Sequence, residues 1–146
     1  MHSIRTEALI PASPDRVYAV LADFARYPEW NPLNLAAHGE ARLGARVPMV
    51  FRDLPGKPGA VIRQTVRIVA AEPGRELAWA GQAPLIFKGR HGFLLTSEGA
   101  GTRLVHTEVL SGLLPATWSA ERIARDFTPA YEAVNTALAA RVASLG

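Results

Sequence analysis

"FKGRHGFLLTSEGAGTRLVHTEVLS", residues 87–111, is the stretch that decides the fold. Phe87, His91, Phe93 and Leu95 fall on one parity and Lys88, Arg90 and Thr96 on the other. That period of two places alternate side chains on opposite faces of a strand. "EGAG" (98–101) is a turn signal, and a second alternating run follows it. Taken as a four-residue hairpin loop, it sets Ser97 opposite Thr102, Phe93 opposite His106 and His91 opposite Glu108. Leu104, His106, Glu108 and Leu110 then share the face of Phe87, His91 and Phe93. A loop one residue shorter would turn the second strand's set to the other side.

Working outward, the same period extends back to Leu33. Strands are expected over 33–42, 46–53, 60–71 and 75–81, then 86–97 and 102–111, separated by "LGA", "LPGKPG", "EPG" and "QAP". Such short connections join antiparallel neighbours, because parallel ones need crossovers of a dozen or more residues. Pro48 lacks a ladder donor, so its strand is expected to be bulged or edge-like. Residues 2–10 form one more strand, closed by Pro11. Ser13-Pro14-Asp15 starts a helix: a side-chain cap, a proline where no N–H is needed, and an acid at the positive end of the dipole. Val17, Tyr18, Val20, Leu21 and Phe24 give it an apolar face, and Pro28 is expected to stop it. "DFARYPEWNP" (23–32) is then a proline-held aromatic corner, either a plug on the end of the core or the lining of a pocket mouth. Near the other terminus, Ile123, Phe127, Tyr131, Val134, Leu138, Val142 and Leu145 recur at steps of three or four. They predict a helix over 119–145 that either kinks at Thr128-Pro129 or restarts there with Thr128 as cap, and the stripe running through the break favours one kinked helix.

Composition excludes several functions. With 146 residues the chain fits one domain, 1–146, and at 49% hydrophobic and 20% charged it is an ordinary globular composition. It has no cysteine, which rules out disulfides, thiolate metal sites and a cysteine nucleophile. The net charge is +3, but the arginines are scattered and Lys57 and Lys88 are the only lysines, so no nucleic-acid partner is expected. No apolar run approaches the roughly 18 residues of a membrane span. "MHSIRTEALIP" carries charges where a signal peptide needs an apolar core, so the expected location is the cytoplasm. His2 and His38 show no metal-ligand spacing, and neither a metal nor a cofactor is expected.

"IPASPDRVYAVLADFARYPEWNP" resembles the opening of proteins of the SRPBCC superfamily, the START-like and polyketide cyclase/dehydratase-like group. "FKGRHGFLL", "GTRLVHTEVLSGLLP" and "AYEAVNTALAARV" resemble its later motifs in the same order. The resemblance implies an α+β helix-grip fold. A seven-stranded curved antiparallel sheet would wrap around the long C-terminal helix, with a short helix pair after the first strand and a hydrophobic cavity between sheet and helix. It implies binding, and in some members transport, of a hydrophobic or amphipathic small molecule. Two alternatives come with it: a polyketide cyclase/dehydratase-like enzyme working by general acid/base chemistry, and a chaperone-cofactor-like interaction module. Fold alone does not choose among them.

Parity then selects the residues that would line such a cavity. Beside the hairpin set lie Leu77 and Trp79, then Ile62, Gln64, Val66 and Ile68, then Met49 and Phe51. The expected ligand-contacting residues are Trp30, Met49, Phe51, Gln64, Val66, Trp79, Phe87, His91, Phe93, His106, Glu108, Phe127 and Tyr131. An apolar wall with few polar groups is the usual form of a small-molecule site. His91 and Glu108 are the candidate acid/base pair: a histidine with a carboxylate that fixes its tautomer, or two groups that satisfy each other across the strands. The entrance is expected beside Phe127 and Tyr131, with the Tyr27–Trp30 corner as a wall.

Overall fold

A computed structural model describes residues 1–54 and 56–146. Strand β6 (Phe87–Glu98) turns into β7 (Gly101–Ser111) with the register the alternation demands: Ser97 opposite Thr102, Phe93 opposite His106, His91 opposite Glu108. Glu98 also pairs with Gly101, so the loop proper is the two residues Gly99 and Ala100 rather than four. Gly99 has φ +59°, the left-handed conformation that a tight hairpin requires and that glycine adopts without cost. Shortening by two leaves the parity intact, which is why the facing survives.

The remaining strands are β1 (His2–Ile10), β2 (Asn34–Ala37), β3 (Arg46–Arg52), β4 (Val61–Glu72) and β5 (Glu76–Ala83). They form one antiparallel sheet in the order β1-β7-β6-β5-β4-β3-β2, a meander with β1 returned to the side of β7. The strand expected over 33–42 is shorter: it pairs with β3 only as Asn34, Ala36 and Ala37, with a shift between the first two. Pro48 lies just beyond those pairs, where only its carbonyl is used, accepting from the His38 N–H at 3.0 Å. A second irregularity, between Ile68 and Ala70 of β4, adds one residue against β5 and helps curl the sheet. The "LPGKPG" turn includes residue 55, outside the described residues.

Helix α1 (Pro14–Ala22) starts as its sequence dictates, with the Ser13 side chain accepting from the Arg16 N–H. It ends at Ala22, well before Pro28, which instead sits inside a 3-10 helix over Phe24–Glu29. The expected helix pair is thus one α-helix and one 3-10 helix. Asn31 closes the corner, its Oδ1 accepting from the N–H groups of Leu33 (3.0 Å) and Asn34 (2.9 Å). The C-terminal helix is bent: α2 (Ala120–Asp126) and α3 (Thr128–Ser144) meet at Phe127. Backbone bonds Phe127 N–H to Ile123 and Tyr131 N–H to Phe127 run through the joint, while Pro129 has no N–H to offer. The apolar stripe is buried from Ile123 to Val142, but Leu145, expected on it, is 64% exposed. Helix α3 packs on β1, β7 and α1, and α1 on β5, β6 and β7. No helix among the described residues is long and apolar enough to cross a membrane.

Candidate functional site

Because β1, β7, β6 and β5 pair without a register shift, inward side chains form rows across the concave face. One row is Thr6, His106, Phe93 and Leu77; the next is Ile4, Glu108, His91, Trp79 and Ile68. The third is Leu110, Gly89 and Gly81. Two opposed glycines put no side chain into that row, and in front of them opens a cavity of about 530 Å³. A Cβ on Gly81 would meet the Gln64 amide at 2.7 Å, and one on Gly89 would lie 3.1 Å from Glu108 Oε1. The glycines therefore make the space that the polar residues look into.

Nine of the residues expected at the ligand line this cavity: Phe51, Gln64, Val66, Trp79, Phe87, His91, Glu108, Phe127 and Tyr131. Four do not. Met49 is 2% exposed in the packed core. Phe93 and His106 stack on one another at 4.3 Å between ring centroids, beneath the cavity wall rather than in it. Trp30 packs edge-on against Tyr27 at 5.3 Å, and Tyr27 and Phe24 are themselves buried, Phe24 edge-on against Trp79. The aromatic corner is thus a plug on the core, not a wall of the entrance. Exposed lining residues, among them Arg52, Ile62, Arg63, Ile86 and Leu114, place the mouth between the β3–β4 and β5–β6 connections and the segment after β7. Trp118 also lines the cavity. It follows the last strand, in a segment without periodicity, so no pattern marked it. The glycines were legible by parity, since Gly81 and Gly89 fall on the inward face of their strands.

A chain of polar contacts runs inward from the cavity. His91 Nε2 is 2.6 Å from His106 Nε2, and His106 Nδ1 is 2.9 Å from Asn135 Oδ1. Asn135 Nδ2 donates to Thr6 Oγ1 at 2.9 Å, and that hydroxyl donates to the His106 carbonyl. Hydrogen-bond complementarity assigns the protons. An amide oxygen only accepts, so His106 carries its proton on Nδ1 and offers a lone pair at Nε2. His91 Nε2 must then be the donor. On the far side of that ring, His91 Nδ1 is 3.0 Å from Glu108 Oε2. The contact is close, yet Oε2 has no hydrogen bond of acceptable angle, so it is an ion-pair distance without directed geometry. The His91 ring is thus flanked by His106 at Nε2 and by a carboxylate oxygen at Nδ1. Trp79 stacks on His91 at 5.0 Å, nearly parallel, and fixes the ring's plane.

A family model described as "Polyketide cyclase / dehydrase and lipid transport" matches residues 1–143. The chain belongs to that family. Its fold is shared by a START superfamily protein from Mycobacterium smegmatis, at 18% identity and a TM-score of 0.81 with all of both chains covered. A protein from Thermus thermophilus is 19% identical with a TM-score of 0.78, covering 99% of each chain. DynU16, a putative protein in the dynemicin biosynthetic locus, is 16% identical with a TM-score of 0.68 over 94% of this chain and 45% of its own. No curated protein matches the chain significantly. The SRPBCC resemblance of the sequence motifs and the helix-grip fold are thereby shown.

In this member of the family, the buried end of the polar chain makes stability depend on pH. Burial, and then the neighbouring His91, hold the His106 pKa well below the usual histidine value, against the opposing pull of Asn135 and the Tyr131 backbone. An unfolded chain takes up a proton at His106 as the pH falls through about 6.5, whereas the folded protein resists until a lower pH. The stability is therefore complete above about pH 6.5 and is lost below it, by about 1.4 kcal/mol per pH unit for the one extra proton bound unfolded. Urea unfolding at pH 6.5 and 5.5 is expected to read that loss. His106→Phe, which keeps a ring between Phe93 and Tyr131, should remove it; equal slopes in both proteins would show that another group is responsible.

Proposed function

We propose that this protein binds, and in a carrier role transfers, a hydrophobic or amphipathic small molecule in the cavity before Gly81 and Gly89. The observation that carries the proposal is a cavity of about 530 Å³ with an open mouth edged by Arg52 and Arg63, mostly apolar walls, and His91, Glu108 and Tyr131 at its inner end. That volume lies within the range of small-ligand sites, about 300–1,000 Å³. Burial of apolar ligand surface supplies the affinity, at roughly 25 cal/mol per Å² before the costs of association. Glu108, His91, Tyr131 and Gln64 supply the orientation.

Tryptophan emission tests this directly. Trp79 and Trp118 line the cavity and Trp30 does not. Titration with Nile red is expected to quench protein emission saturably at micromolar dye, by energy transfer from all three indoles. A non-absorbing ligand such as dodecanol should instead shift only the emission of Trp79 and Trp118. Trp30→Phe should keep that shift, and the double substitution Trp79→Phe, Trp118→Phe should remove it. If neither probe binds at micromolar concentration, the proposal fails.

A second function has one specific observation in its favour. His91 Nδ1 lies 3.0 Å from Glu108 Oε2 at the cavity wall, and a histidine beside a carboxylate is a pair that general acid/base catalysis uses. It supports the cyclase/dehydratase-like alternative, in which the pair takes a proton from a carbon beside a ketone and returns one to the oxygen that leaves.

A further inference from the structure

Two polar groups at the inner end of the cavity lack hydrogen bonds. Glu108 is 8% exposed and Tyr131 4%, and both line the cavity. Both also flank one imidazole: His91 Nδ1 touches Glu108, and the rings of His91 and Tyr131 lie 5.2 Å apart. Among the described residues, the Tyr131 hydroxyl has no hydrogen bond, and neither has either Glu108 oxygen. His91 and His106, by contrast, are committed to each other and to Asn135. Burial, and then the Glu108 charge, push the Tyr131 phenol well above its ordinary value, so it stays a donor at all ordinary pH. A ligand arriving here meets one O–H that must donate and one carboxyl that must accept. Leaving either unmet in a dry pocket is costly.

From this geometry, and resting on the small-molecule binding proposed above, we infer that the ligand is an apolar molecule carrying a neutral hydroxyl, which accepts from Tyr131 and donates to Glu108. A hydroxyl satisfies both groups with one oxygen. A hydrocarbon satisfies neither. A carboxylate can only accept, so it leaves the Glu108 oxygens unmet and sets a second acid against them. The site therefore selects alcohols and phenols over free fatty acids of the same shape, the discrimination that buried polar groups enforce when a ligand fails to pair them.

Three probes of one skeleton test it by calorimetric titration at pH 7: 2-naphthol, 2-methylnaphthalene and 2-naphthoate. The hydroxyl compound is expected to bind about tenfold or more tighter than either of the others. Tyr131→Phe deletes only an oxygen that has no protein partner, so the fold is kept. It should weaken 2-naphthol by about tenfold and leave 2-methylnaphthalene within about threefold. Equal affinity for all three probes would overturn the hydroxyl inference while leaving the binding function standing. So would an unchanged 2-naphthol affinity in Tyr131→Phe, or 2-naphthoate as the tightest ligand. Binding of none of them, with Nile red also excluded, would overturn both.

Discussion

Replacing Gly89 with leucine is expected to weaken binding of an apolar probe by about a hundredfold while leaving the protein folded. Gly89 stands opposite Gly81, where neither strand puts a side chain into the row, and a Cβ there would point among Phe87, Glu108 and Leu110 at 3.0 to 3.4 Å. The nearest atoms are far ends of side chains, which can give way. Leucine would put four carbons where ligand carbons otherwise sit. At roughly 0.8 kcal/mol per buried methylene, three or four displaced ligand carbons amount to about 2 to 3 kcal/mol, or about two orders of magnitude in Kd. Stability should hold or rise slightly, because glycine inside a strand costs roughly 0.5–1 kcal/mol relative to alanine. Nile red titration and a thermal melt on the same variant separate lost binding from lost folding. Unchanged affinity would mean that ligands occupy some other surface.

Asn135→Leu is expected to cost about 2 to 4 kcal/mol of folding stability. Asn135 is 4% exposed on α3, accepts from His106 Nδ1 and donates to Thr6. Leucine is similar in size but offers neither group, so a buried imidazole N–H loses its acceptor and the Thr6 hydroxyl a donor, each at about 1 to 3 kcal/mol, less what relaxation recovers. The damage should extend beyond stability. With no acceptor at Nδ1, His106 is free to move its proton to Nε2, and His91 then no longer needs to donate there. The affinity preference for 2-naphthol over 2-methylnaphthalene should narrow accordingly. A urea midpoint shift worth less than about 0.5 kcal/mol would show that water or the Tyr131 backbone replaces the amide.

Much of this architecture was legible in the residue pattern. Alternation in 87–111 set the hairpin parity, and the parity put His91 beside Glu108, which are 3.0 Å apart across the ladder. Ser13 and Pro14 announced α1, and the stripe from Ile123 to Val142 announced the bent C-terminal helix. Misses fell at polar or irregular positions. Asn135 is hidden in an apolar stripe because a polar side chain does not register as part of one, although it is buried there against His106. Trp118 lies between the last strand and α2, where neither a period of two nor of 3.6 applies. Trp30 was misplaced because aromatic crowding in "DFARYPEWNP" describes a plug and a pocket mouth equally well.

The sequence by itself determined which side of each strand faces inward, where the chain turns, and which helix lies across the sheet. These are local matters: sterics alternate side chains every second residue, and capping and proline set the ends of helices. Only the tertiary structure decided which inward residues meet other atoms and which meet empty space. Phe93 and Phe87 share a strand and a parity, yet Phe93 is buried against His106 while Phe87 lines the cavity. The difference arises where two glycines from β5 and β6 come opposite each other, in a cavity that Phe127, at the joint of α2 and α3, also lines. A cavity is an absence of atoms between segments distant in the chain, and its place depends on how far apart those segments are held once every other row has packed.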